Sequence, residues 1–183
     1  MLVERTLKLT NLAMLLAFAV VVHTIEAYIP VPIPIPGAKA GLANIITLLT
    51  LLLYGFRSGL IIAVGRTVLG SFITGGFLGF GFWMSLSAGI ISCTVMSVAI
   101  LVYRQGYISV ISVSILGAVF HNLAQLAMAS IIIQNFTLFQ GYFPVLVLMA
   151  IPIGYFTGLA AQYLETITRN SLKIIGVKGG VRI

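Results

Sequence analysis

Positive charge alternates along this chain. Six long apolar runs are joined by short loops, and Lys and Arg crowd into every second loop and both ends. Basic loops are retained on the cytoplasmic side, so the alternation predicts a polytopic membrane protein with both termini in the cytoplasm. The runs cover about 11–29, 41–56, 59–78, 82–103, 108–133 and 142–165. At ~1.5 Å per helical residue each can cross a ~30 Å hydrocarbon core, the second only just. The predicted fold is therefore all-α: a single integral membrane domain, 1–183, of six transmembrane helices. With the N-terminus inside, the cytoplasmic segments hold Arg5, Lys8, Arg57, Arg104, Arg169, Lys173, Lys178 and Arg182, eight of the ten basic residues. Only Lys39 and Arg66 fall outside or within the membrane, and the opposite orientation would invert that split.

Composition agrees with this reading. The chain is 60% hydrophobic and 7% charged, against roughly a quarter charged in soluble domains. A soluble fold of this size has nowhere to hide so much apolar surface, so lipid is the solvent for much of it. The net charge of +7 is explained by orienting loop charges, and no nucleic-acid partner is expected. The tail after residue 165 is basic and is expected to lie along the anionic inner surface. No small-residue cleavage site follows the first run, which reads as a retained helix.

Several chemistries are excluded. There is no aspartate, and the acids are Glu4, Glu26 and Glu165. No DDxxD motif can hold magnesium and diphosphate, no carboxylate pair can do acid–base work, and there is no acidic Walker B site. Two histidines and the lone Cys93 cannot build a usual zinc site or an intramolecular disulfide. No catalytic residue, metal or cofactor is expected. His23 and His121 lie at similar depth, but the multiple histidine pairs of b-type haem proteins are lacking.

The three external loops differ. Pro30–Gly37 alternates proline with aliphatics, which blocks helix and favours a stiff extended segment, either a lid or a connector. Gly75–Gly81 is glycine- and aromatic-rich and lacks the Lys-Ser/Thr ending of a phosphate loop, so a tight turn or a ligand-contacting loop fits. Gln134–Pro144 carries aromatics suited to the headgroup belt.

Polar residues inside the apolar runs are the functional candidates, because hydrocarbon penalises them. Ala13 and Ala17 share one face of the first helix and allow close approach, either by an internal neighbour or by a partner. Gly154 and Gly158 do the same on the sixth. His23 and Glu26 share a face near the outer end of the first helix. Lys39 is a snorkelling cation or a ligand contact, and Asn44 opens the second helix. Arg66 sits near mid-membrane, where it must meet an anion, carbonyls or water; Glu26 is one candidate partner and a ligand another. His121, Asn122 and Gln125 cluster within five residues of the fifth helix. Ser85, Ser87 and Ser92 add hydroxyls on the fourth. By residue count along each helix, these groups converge on the outer half, beneath the proline loop.

The strings Lys39-Ala-Gly-Leu-Ala-Asn44, Arg66-Thr-Val-Leu-Gly-Ser71, Ser85-Leu-Ser-Ala-Gly89 and His121-Asn-Leu-Ala-Gln125 resemble, in that order, the Gx transporter family, also labelled heptaprenyl diphosphate synthase component I. That family is similar to the substrate-binding S components of energy-coupling factor (ECF) transporters. The resemblance implies six helices with both ends inside. It implies an AxxxA docking face, matched by Ala13 and Ala17, for an ECF-type transmembrane coupling protein joined to ATPase subunits. Prenyl diphosphate synthases need aspartate-rich metal sites, so the synthase label implies an accessory role here. The expected function is capture of a small solute, anionic or carbonyl-bearing, by Arg66, His121, Asn122 and Gln125 with Glu26, Lys39 and Asn44 assisting. A non-catalytic subunit of isoprenoid, menaquinone or electron-transfer machinery is the alternative.

Overall fold

The structure, a computed structural model, describes residues 2–28 and 41–174. The proline-rich segment, Lys39 and the end of the basic tail, with Lys178 and Arg182, lie outside the described residues. Six helices follow in order: α1 (Leu2–Tyr28), α2 (Asn44–Tyr54), α3 (Phe56–Ile73), α4 (Phe80–Arg104), α5 (Val110–Ile133) and α6 (Phe136–Ile174). Among the described residues there is no strand. Five of the helices are long and apolar enough to cross a membrane. The protein is a polytopic helical membrane bundle.

The second span departs from expectation. The apolar run 41–56 contains a helix of only 11 residues, ~16 Å long and about half a hydrocarbon core. Gly41 has φ +84°, which a helix cannot include, so α2 starts only at Asn44. Gly55, at φ +80°, ends it and turns the chain directly into α3. Asn44 and Ile46–Leu53 are all buried, as befits a helix apolar all round. This half-length helix touches each of the other five and forms the centre of the bundle.

Small residues set the packing around it. A Cβ on Gly59 would lie 2.6 Å from Leu51 of α2, and one on Gly117 2.6 Å from Met96 of α4. The Gly154/Gly158 face meets α5: added Cβ atoms would fall 2.5 Å from Ile115 Cα and 2.8 Å from Ile111 Cα. These backbones are in close approach. Ser114 and Thr157 share a 2.8 Å hydrogen bond across the same seam. Leu48, Leu51, Leu52, Cys93, Met96 and Val113 form the largest apolar core.

The sixth helix also differs from its predicted span. It begins at Phe136 rather than 142 and runs for 39 residues, with Pro144 and Pro152 inside it. Most of the expected loop Gln134–Pro144 is thus helical. Asn135 Oδ1 accepts from the Thr137 N–H at 3.0 Å and starts the helix. Proline within a membrane helix is tolerated where neighbours absorb the lost hydrogen bond. The α3–α4 connection is the expected tight turn. Gly75 has φ +71°, and Phe77 folds back to stack on Phe72 at 4.0 Å and meet Phe82 edge-on at 5.1 Å.

At the opposite end of α2, Asn11 Nδ2 donates to the Tyr54 hydroxyl at 3.1 Å, and Lys8 lies 5.9 Å above the Tyr54 ring. Arg169 of α6 is paired with Glu165 at 2.8 Å and donates to the Leu52 carbonyl at 3.4 Å. Cations at this C-terminus suit the helix dipole.

Candidate functional site

The N-terminal end of α2 is buried inside the bundle, and its backbone donors need partners there. Glu26, two residues from the end of α1, supplies them. Its Oε1 accepts from the backbone N–H groups of Gly41 and of Leu42, the latter at 2.8 Å. The carboxylate is buried, and its charge stabilises the positive end of the helix.

Asn44, the first residue of α2, accepts through Oδ1 from Arg66 Nη2 of α3 at 2.8 Å. Arg66 is 2% exposed. Among the described residues the ion pair within 4.0 Å is Glu165–Arg169, so Arg66 and Glu26 are linked through the start of α2 rather than by direct contact. Gly89 of α4 borders the guanidinium: a Cβ there would be in ordinary contact, 3.7 Å from Arg66 Nη2.

His121 enters from α5. Its ring lies against Gly41, where a Cβ would be 3.1 Å from His121 Cδ2 and 3.3 Å from Asn44 Nδ2. Gln125 follows one turn on and its Nε2 is 3.0 Å from His121 Nε2. Glu26, Asn44, Arg66, His121 and Gln125 therefore gather around one buried point, the first turn of a half-length helix. Four long helices and α2 meet there.

Two sequence candidates sit elsewhere. Asn122 faces away from His121, and its Nδ2 donates to the Leu146 carbonyl of α6 at 3.1 Å; it fastens α5 to α6. His23, although it shares a face with Glu26, packs on Gly70 of α3, where a Cβ would be 2.6 Å from the ring. Lys39 lies outside the described residues. Ala13 and Ala17 lie on an exposed face of α1 alongside Leu9, Met14, Phe18, Val21 and Ile25. No other described helix covers that face.

The sequence did not single out Gly41, whose positive φ and lack of a side chain admit the His121 ring. Nor did it single out Thr47. Its hydroxyl, like those of Ser85 and Ser92, is buried without a hydrogen-bond partner. Among the described residues no group of three His, Cys, Asp or Glu side chains is placed to hold a metal ion. The arrangement suits reversible binding: donors and acceptors of fixed direction, one cation and one carboxylate.

No match is found among curated proteins or among solved structures. The family model described as heptaprenyl diphosphate synthase component I matches residues 15–164, from the middle of α1 to the last third of α6. The matched segment holds Glu26, Asn44, Arg66, His121 and Gln125 and all but the ends of the bundle. The chain belongs to the heptaprenyl diphosphate synthase component I family.

Proposed function

We propose that this protein is the solute-binding membrane subunit of an ECF-type importer. In this reading the whole chain acts as one membrane unit with both termini in the cytoplasm, as its basic loops favour. Solute enters from the outer face and is held by Arg66, His121 and Gln125 with Glu26, Asn44 and Lys39. Asn122 supports the site by fixing α5 on α6. The chain has no ATP-binding motif and no acid–base pair, so it is not itself an enzyme, and energy comes from a transmembrane coupling protein and its ATPases. The α1 face around Ala13 and Ala17 docks that partner.

The observation that carries this reading is the convergence of polar groups from four helices on the buried N-terminus of α2. Broken or half-length helices that end at mid-depth are how secondary transporters build solute sites, since the helix terminus offers unsatisfied backbone and a dipole. Five ionisable or amide side chains at one buried point carry a large desolvation cost that purely apolar packing would avoid. The test is uptake: proteoliposomes holding this chain and a coupling module, supplied with a small-molecule extract of the source cells. ATP-dependent accumulation of one solute, lost in Arg66→Gln, is the expected result; no accumulation refutes the reading.

The family description favours one second reading, a non-catalytic membrane component of a prenyl diphosphate synthase. It expects a soluble synthase subunit to co-purify with the chain and to gain activity from it. Under the importer reading, the co-purifying partner is a membrane protein.

A further inference from the structure

Serine and threonine in membrane helices ordinarily return their hydroxyl to a carbonyl of their own helix. Thr50, Thr67 and Ser130 do so here, each to the carbonyl four residues earlier, and Ser87 bonds that of Met84. Ser85 and Ser92 do not. Both hydroxyls are buried and have no hydrogen-bond partner among the described residues. Together with Gly89 they form one stripe on α4, at spacings of four and three residues, which places them on one side of the helix. Gly89 is the residue that borders the Arg66 guanidinium. Arg66 Nε is also buried without a partner among the described residues, and so is the hydroxyl of Thr47, one turn along α2 from Asn44.

Among the described residues, Thr24 Oγ1 on α1 is also buried and unsatisfied, but four such atoms fall on the packed helices α2, α3 and α4, on either side of the Gly89–Arg66 contact. Buried polar groups in proteins are satisfied in the great majority of cases, and each exception calls for a partner. We propose that Arg66 Nε, with Ser85 and Ser92 one turn to either side of Gly89 on α4 and Thr47 on α2, forms the grip on acceptor oxygens of the ligand. The ligand class follows from charge. Among the described side chains at this point Arg66 is the one cation and Glu26 the one carboxylate, and the Glu26 oxygen is engaged by Gly41 and Leu42. Such a balance accommodates a neutral carbonyl or a single carboxylate. A diphosphate would bring two or more negative charges to one guanidinium in a low-dielectric site. The grip therefore selects a carbonyl- or monocarboxylate-bearing solute and rejects diphosphates.

This inference deepens the importer reading and rests on it for the role of the site, but its test is independent of transport. In a Cys93→Ala background, Ser85→Cys and Ser92→Cys are made singly, with Val98→Cys on the exposed face of α4 as the lipid-facing control. Each is treated with an anionic reagent, 2-sulfonatoethyl methanethiosulfonate, and with its cationic trimethylammonium counterpart. Both site variants are expected to react faster than the control, with the anion preferred roughly tenfold, and Arg66→Gln is expected to abolish that preference. Rates no higher than the control, or an unchanged preference without Arg66, overturn the site. Benzoate is expected to protect both positions more than inorganic diphosphate at equal concentration. Equal protection, stronger protection by diphosphate, or none from either overturns the ligand class. Failed uptake with intact labelling refutes the importer reading alone, and failed labelling with intact uptake refutes this grip alone.

Discussion

Arg66 Nη2 donates to Asn44 Oδ1 at 2.8 Å, so a fully buried cation on α3 is tied to the first residue of α2. Removing the acceptor leaves a buried guanidinium with less compensation. Asn44→Ala is expected to destabilise the protein by about 1–3 kcal/mol. Asn44→Asp keeps the acceptor and adds a countercharge, and should retain most of the stability. Thermal unfolding of both variants in detergent checks this; equal melting points for Asn44→Ala and the parent would refute it.

Gly70 provides the seat for the His23 ring, and an added Cβ would lie 2.6 Å from His23 Cδ2. Gly70→Val is therefore expected to push α1 from α3 and cost about 1–3 kcal/mol. His23→Ala clears the space, so the double variant should recover part of that loss. A double-mutant cycle measures the coupling, and strict additivity would show that the two residues do not share the seam.

The α5–α6 seam separates backbone approach from hydrogen bonding. Ser114→Ala removes the bond to Thr157 and is expected to cost only ~0.6 kcal/mol, since such bonds in membranes are weak on average. Gly158→Leu drives a side chain into Ile111 and Ser114 and should prevent the pair from closing. Limited proteolysis in detergent should leave Ser114→Ala intact and cut Gly158→Leu rapidly. The reverse order would overturn this ranking.

Ala13 and Ala17 touch no other described helix face, so enlarging them has little to clash with inside the subunit. Ala13→Leu with Ala17→Leu is expected to change stability by no more than the ~0.5 kcal/mol of ordinary surface changes, yet to abolish co-purification with a transmembrane partner. Undiminished co-purification would remove the docking role from this face.

Much of this architecture can be read directly from the amino acids. α3, α4 and α5 follow from apolar length, with ends set by Arg57, Arg104 and the glycine turns, whereas α1 extends its apolar run 11–29 back through the basic flank to Leu2. α2 does not, because the run 41–56 is apolar to both ends and nothing in hydropathy marks the positive φ of Gly41. The start of α6 lies earlier than expected because Gln134–Pro144, with its aromatics, reads as an external headgroup-level loop, whereas membrane helices tolerate the proline it contains. The meeting of Glu26, Asn44, Arg66, His121 and Gln125 was legible from cost: isolated polar groups in hydrocarbon have to find one another. The direction of Asn122 was not. Adjacent helical residues point about 100° apart, so His121 turns toward α2 and Asn122 toward α6, and only the packing says which is which. Ser85 and Ser92 were equally opaque, since a serine that satisfies itself and one that does not look alike in sequence.

At 39 residues, α6 is ~58 Å long, nearly twice the ~30 Å it has to cross. Whatever its tilt, several turns must protrude into water or headgroups. Near one end of that rod Arg169 grips the base of α2, and near its middle Gly154 and Gly158 ride directly on α5. A force on the protruding turns is thus delivered by leverage, without intervening loops, to the two helices that carry Asn44 and His121.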